Sequence, residues 1–260
     1  MLRRLLLYPF ALLYGLVLRI RHALYDLGLL KSTSPALPTI IIGNVALGGT
    51  GKTPHVELVL RTLMDHGPLA TLSRGYGRSG SRFHEVHRDD DAALAGDEPL
   101  MLKRKFGGVR VFVGTDRVAG LRTIQERAPE LRLVVLDDAY QHRRLQGGCN
   151  VVLTTWQRPW CDDALLPAGN LRDLPARARK ADAVVVTKCP GLPTSEEQAR
   201  WRMRLGLPAP LPLFFSAIRY AEPRSLHDVA AHVPTGPEAA ALLVTGIADP
   251  GPLLAHVRER

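Results

Sequence analysis

Residues 39–54, "TIIIGNVALGGTGKTP", decide the fold. The β-branched run from Thr39 reads as a strand, and the glycine-rich stretch after it ends in Gly51, Lys52 and Thr53. That ending matches the second half of the phosphate-binding loop G-x-x-x-x-G-K-[ST]. In such a loop, backbone N–H groups cradle phosphates, the lysine reaches the β- and γ-phosphates and the hydroxyl residue holds Mg²⁺. Ala46 stands where the first glycine belongs, but Gly48 and Gly49 are placed to supply the positive-φ freedom instead. The next stretch, 55–67, "HVELVLRTLMDHG", has helical spacing and closes on Gly67. Pro54 suits its first turn, where a missing N–H costs nothing.

The strand-then-helix alternation continues outward from this loop. Strands are expected at 69–73, 109–114, 131–138, 150–155, 182–188, 211–218 and 240–246, with helical patterns at 98–106 and 116–127. Apolar, Val-rich strands alternating with helices specify an α/β fold, P-loop NTPase-like. It is a mostly parallel sheet with helices on both faces. Residues 38–190 are expected to form this core and 191–260 a smaller C-terminal portion.

Composition narrows the partners. The 260 residues are 46% hydrophobic and 23% charged, which supports a full core. A net charge of +9 favours anionic partners, and +4 of it falls in residues 1–31, where Arg3, Arg4, Arg19, Arg21 and Lys31 face only Asp26. That concentration favours an anionic membrane surface. No aromatic residues interleave with the basic ones, and neither helix-turn-helix nor zinc-finger spacing occurs, so nucleic acid is not an expected partner. The three cysteines, Cys149, Cys161 and Cys189, form no C-x-x-C, which argues against a disulfide framework or structural zinc and for a reducing cytosol.

The N-terminal segment is uncharged from Leu5 to Leu18. A spanning helix needs about 20 apolar residues, so this run is expected to be too short to cross. Arg19 and Arg21 follow where a signal peptide would place small residues. At about 100° per residue, Arg3, Arg4, Arg19, Arg21, His22 and Asp26 fall within an arc of roughly 160°. Residues 1–31 therefore read as an amphipathic, membrane-associating helix, basic arc towards headgroups and apolar arc in the acyl boundary. The alternative is a helix packed on the protein's own core.

Several groups beyond the loop carry chemistry. Asp137 and Asp138 end an apolar strand, where open α/β sheets place ligand-contacting groups. Adjacent carboxylates alternate in direction, so one faces a Mg²⁺ beside Thr53 and the other a substrate or supporting group. Gln141 and His142 follow within reach of the same mouth. Asp97 reads either as a helix N-cap or as a carboxylate that accepts a proton from an attacking hydroxyl. Arg74 and Arg78 sit on a loop after a strand and suit phosphate, or else are simply solvated. Arg172, Asp173 and Lys188 are weaker candidates. His84 and His87 beside Asp89, Asp90 and Asp91 read as a polar hairpin, since no further ligand of fixed spacing follows.

Together, "LYDLGLLKS", "GNVALGGTGKTP", "SRGYGR", "GDEPLM", "GTDRV", "LDDAYQHRRL", "LLPAGNLRD" and "VVVTK" resemble the tetraacyldisaccharide 4'-kinase family, the lipid A 4'-kinases of Gram-negative bacteria. The resemblance spans nearly the whole chain. It implies a kinase at the cytoplasmic face of the bacterial inner membrane, using ATP and Mg²⁺ to phosphorylate the 4'-hydroxyl of a tetraacyldisaccharide 1-phosphate, the lipid A precursor. A monomer is expected. By motif, Gly48, Gly49, Thr50, Gly51, Lys52 and Thr53 cradle the triphosphate, and Thr53 also meets the metal. Asp97 matches the catalytic carboxylate, while Asp137, Asp138, Gln141 and His142 match the second acidic motif. Asp137 is then a metal ligand, Asp138 and His142 catalytic, and Gln141 nucleotide-binding. Arg172 and Asp173 match an Arg-Glu pair near the phosphates and metal, with Asp for Glu at 173, which makes Arg172 nucleotide-binding and Asp173 a metal ligand; Ala139 replaces a usual Gly. The family's Asp-His-His motif after "GIADP" does not occur, so 191–260 is expected to be a truncated C-terminal portion. The competing reading is a membrane-associated P-loop ATPase or switch without lipid kinase activity.

Overall fold

In a computed structural model, residues 2–221, 242–245 and 250–259 are described. In chain order the main elements are α1 (Leu2–Asp26), β1 (Thr39–Asn44), α2 (Lys52–Leu63), β2 (Leu69–Ser73), β3 (His84–Glu85), α3 (Ala92–Ala95), α4 (Asp97–Lys105) and β4 (Arg110–Val113). They continue with α5 (Arg117–Arg127), β5 (Leu133–Asp137), β6 (Cys149–Thr155), α6 (Pro175–Ala178), β7 (Ala183–Cys189), α7 (Ser195–Leu205), β8 (Leu213–Ala217) and α8 (Gly251–Arg258).

The strands form one sheet in the order β3-β4-β2-β5-β1-β6-β7-β8. All neighbours are parallel except β3 with β4. The P-loop strand β1 lies between β5 and β6, so the carboxyl ends of β1 and β5 open side by side. Successive residues on each strand point to opposite faces and both faces are buried. Ile41, Phe112 and Leu136 belong to one cluster, with Leu121 and Ile124 of α5 and Trp201 and Leu205 of α7. Ile42, Val111, Val113 and Val135 belong to the other, with Val56 and Leu60 of α2 and Leu100 and Leu102 of α4. This double coverage is why the strands read as continuous apolar runs.

Gly43 in β1 leaves room for Tyr140, since a Cβ there would come 2.5 Å from the Tyr140 Cβ. Gly43→Ala is expected to cost about 1–3 kcal/mol through overpacking, read as a lower denaturant midpoint with an unchanged slope.

The short strand β3 was not expected. It answers the question of the His84 hairpin: His84 Nε2 hydrogen-bonds Asp90 Oδ2 at 2.7 Å, and the same oxygen accepts the His87 backbone N–H at 2.8 Å. Of the strand expected at 240–246, residues 242–245 are not in a strand, and the remainder lies outside the described residues. Apolar composition does not supply the ladder partner that a strand requires.

The chain divides into two compact units, Met1–Ala217 and Ile218–Arg260. In the second, α8 carries His256, whose ring stacks on Tyr220 at a centroid separation of 4.3 Å.

Helix α1 corrects the expectation for its polar arc. Arg21 donates to the Gln141 carbonyl at 3.1 Å, His22 Nε2 lies 2.6 Å from Asp173 Oδ1, and Asp26 accepts from Arg143 at 2.7 Å and Lys180 at 3.0 Å. The C-terminal part of the polar arc, from Arg21 to Asp26, meets the protein, while Arg19 is exposed. The core presents Asp173, Arg143 and Lys180 to these side chains, and leaving a buried group such as Asp173 short of a partner costs more than apolar contact returns. The side chains of Arg3 and Arg4 lie outside the described ones. The apolar arc faces outward, with Leu5 74%, Leu13 61% and Ile20 52% exposed.

The helix is also longer than the uncharged run, because Arg19 and Arg21 continue it. By length and composition alone, Leu5–Asp26 is long enough to cross a membrane. Yet Tyr14, Arg21, His22 and Asp26 within it all bond to the core, so this stretch lies along the protein.

Candidate functional site

The loop between β1 and α2 is shaped as a phosphate cradle, with Gly48 at φ 101° and Gly51 at φ 85°. Gly49 is not among the positive-φ glycines. Ala46 pairs with Leu171 in an isolated antiparallel bridge, flanked by a Leu47 N–H bond to the Asn170 carbonyl at 2.7 Å and an Arg172 N–H bond to the Val45 carbonyl at 2.9 Å. The first loop position is therefore held in strand-like pairing, which alanine accommodates. Below it, Asn44 donates to the Thr50 hydroxyl at 2.7 Å, and Thr187 at the end of β7 donates to the Thr50 carbonyl at 2.8 Å. Gly51 caps α2, Lys52 and Thr53 open its first turn, and Pro54 follows within that turn. The unpaired N–H groups and dipole of a helix start favour phosphate at this end.

Four charged groups converge on this mouth. Asp138 adopts φ 51°, a left-handed conformation uncommon outside glycine and found where function over-determines the backbone. Its carboxylate is gripped by both terminal nitrogens of Arg172, one at 3.0 Å, and Lys52 Nζ stands 4.0 Å away. Burial raises the Asp138 pKa, but the Arg172 hydrogen bonds and the Lys52 and Arg172 charges outweigh it and hold the carboxyl below its usual range. Arg172 also donates to the Asn44 side chain, which ties the acidic pair to the loop.

Asp137 behaves oppositely. Burial, reinforced by the Glu98 and Asp138 charges, pushes its pKa up to about 7, with Lys52 and Arg117 opposing. Its Oδ1 is buried and accepts no hydrogen bond. Beside this oxygen chemistry, the Thr53 hydroxyl donates to Glu98 Oε1 at 3.1 Å. An orphaned carboxylate oxygen, a hydroxyl and a second carboxylate make an all-oxygen donor set, which fits a hard divalent cation such as Mg²⁺.

Asp97 is the first residue of α4, and the N-cap is Gly96 at φ 87°. The capping alternative for Asp97 is therefore corrected: its side chain makes no cap hydrogen bond and is exposed, one residue before Glu98. Gln141 donates to the Asn44 carbonyl. His142 is half-buried with an unpartnered Nε2, and burial, aided by the Arg117 charge, lowers its pKa.

Asp173 is placed differently from Arg172. Only 1% exposed, it is closed by His22 of α1 and by the Leu174 N–H at 2.8 Å. His22→Ala is expected to leave this buried carboxylate short of a partner and to cost about 1–3 kcal/mol, seen as an earlier thermal transition. Arg74 is exposed near Arg117, whereas Arg78 tucks against Gly75, where burial lowers its pKa. Lys188 ends β7 at φ 56° and is not drawn into the acidic pair.

Sequence reasoning missed Glu98, Arg117 and His22. Glu98 was visible as the carboxylate next to Asp97. Arg117, buried at the start of α5 and donating to the Gly114 and Thr115 carbonyls, sits inside the quoted "GTDRV". His22 carries no local signal, since its partner is 151 residues away.

The profile of the tetraacyldisaccharide-1-phosphate 4'-kinase family matches residues 3–260. The chain belongs to that family. It is 40% identical over 98% of its length to the tetraacyldisaccharide 4'-kinase of Flavobacterium johnsoniae, covering 75% of that protein. It is likewise 40% identical to the Bacteroides fragilis tetraacyldisaccharide 4'-kinase, over 95% of this chain and 68% of the relative. Among solved structures, a 4'-kinase of this family from Aquifex aeolicus in complex with ATP superposes with a TM-score of 0.66 at 28% identity, covering 83% of this chain and 82% of that one. The P-loop fold and the apolar N-terminal helix read from the sequence thus coincide with a tetraacyldisaccharide 4'-kinase.

Proposed function

We propose that this chain transfers the γ-phosphate of ATP to the 4'-hydroxyl of tetraacyldisaccharide 1-phosphate in lipid A biosynthesis. The observation that carries the reading is the Lys52–Asp138–Arg172 constellation at the mouth of the cradle, with Asp97 next in the chain to the Glu98 that accepts from Thr53 and in no hydrogen bond or ion pair among the described residues. Phosphoryl transfer demands positioning and charge neutralisation more than covalent chemistry. Backbone N–H groups from Gly48 to Thr53 and the Lys52 amine hold the β- and γ-phosphates, and Arg172, locked by Asp138, adds a fixed guanidinium. Thr53, Asp137 and Glu98 would hold Mg²⁺, which when bound neutralises charge on the phosphate oxygens. Asp97 accepts the proton of the 4'-hydroxyl as its oxygen bonds to the γ-phosphorus. The bond from phosphorus to the bridging oxygen breaks, and ADP leaves. His142 and Gln141 support the strand-end loop around this site, and Arg74 and Arg78 flank the approach of the acceptor phosphate.

The outward apolar arc of α1 supports seating at the bilayer interface, on the cytoplasmic side where ATP is available, as a monomer. The test is transfer of radiolabel from γ-labelled ATP to the tetraacyldisaccharide acceptor in detergent micelles. Labelled lipid, absent with Lys52→Ala, supports the kinase; ATP hydrolysis or nucleotide-dependent membrane binding with no labelled lipid supports the ATPase or switch.

A further inference from the structure

A cavity of 710 Å³ lies where α1 ends, bounded by the loop 28–33, by the turn after β5, by α6 and by Lys180 two residues beyond it. Its lining carries Lys31, Arg143, Arg177 and Lys180 against Asp26, four cations and one anion. Arg143 and Lys180 share Asp26, at 2.7 and 3.0 Å. Among the described residues the other two pair with no carboxylate. Arg177 lies over the Tyr140 ring at 5.4 Å with a buried Nε that finds no acceptor, and no ion pair of Lys31 occurs among the described residues. A roomy cavity with unspent positive charge and an unmet buried donor fits a phosphate-bearing ligand.

What lies beside the cavity identifies the ligand's source. Leu30, 39% exposed, lines the cavity, and Leu27 and Leu29, 74% and 70% exposed, alternate in the chain with the lining residues Gly28 and Leu30 and follow directly on the exposed apolar arc of α1. An apolar rim that continues a bilayer-facing surface, next to a basic recess, has the layout of acyl chains beside headgroups. We infer that this cavity binds the phosphate headgroup of an anionic membrane phospholipid and so fixes how α1 sits on the bilayer. The inference rests on the interfacial reading of α1, and it concerns a site separate from the nucleotide cradle, since none of the cradle residues lines it.

Vesicle flotation of the full chain tests it, using phosphatidylcholine vesicles with and without about a quarter phosphatidylglycerol. The wild type is expected to bind both and to prefer the anionic ones. Lys31→Gln with Arg177→Gln is expected to reduce binding to the anionic vesicles by roughly fivefold per cation, leaving phosphatidylcholine binding unchanged. Lys31→Glu alone, at an exposed loop position that cannot compromise folding, is expected to lower the preference as well. Arg122→Gln with Arg127→Gln removes the same charge from the exposed face of α5 and is expected to change little. An equal loss in that control, or an undiminished preference in the cavity variants, overturns the headgroup site while leaving the interfacial helix intact. Failure of the wild type to bind either vesicle overturns the interfacial reading itself, and the headgroup site with it.

Discussion

Replacing Asp97 by Asn lowers the rate of phosphoryl transfer by roughly 10²- to 10⁴-fold, the usual contribution of a positioned general base. ATP affinity stays unchanged, because the cradle, Lys52 and Arg172 are untouched. The expected split follows from the placement of Asp97. It starts α4 without capping it, is exposed, and makes no hydrogen bond or ion pair among the described residues, so its replacement is expected to leave folding undisturbed. A thermal transition matching the wild type, normal nucleotide binding by fluorescence titration and a collapsed kcat form the expected set. Weakened ATP binding with unaltered kcat would instead move Asp97 to the nucleotide subsite.

The second large effect concerns Asp137. Its carboxyl pKa is raised to about 7 in the fold, mainly by burial, against 3.8 in the unfolded chain. Between those values the folded state holds more protons than the unfolded state, so stability falls as pH rises through this window. This is opposite in sign to the usual carboxylate. Asp137→Asn removes the ionisation, so the variant's stability advantage over the wild type is expected to grow between pH 5 and pH 8 by on the order of 3 kcal/mol. Melting curves of the nucleotide-free protein at the two pH values read the difference directly. Activity is expected to be lost, since the amide keeps one oxygen but not the negative charge that a cation at this position requires. A variant less stable than the wild type at pH 8 would show that Asp137 is satisfied by partners in the folded protein.

Much of this architecture was legible because periodicity and glycine chemistry are local. The β-branched run, the GTGKT ending and the Asp-Asp after an apolar strand place the loop and the acidic pair together at the carboxyl end of one sheet. What was illegible depends on distant partners. A helical wheel divides α1 into two arcs but does not say which one meets protein, and that was decided by Asp173, Arg143 and Lys180, far along the chain. Likewise Ala46 looked like a missing glycine until Leu171 was seen to pair with it. The family motif sets Asp173 with Arg172 near the phosphates and metal, but the two side chains diverge, one to Asp138 and one to His22.

The most direct measurement is phosphorus NMR of the lipid product after incubation with ATP, Mg²⁺ and tetraacyldisaccharide 1-phosphate. The account predicts a second phosphomonoester resonance, at the 4' position, growing in step with ADP and absent with Lys52→Ala. ADP and inorganic phosphate accumulating while the lipid keeps only its 1-phosphate would contradict it.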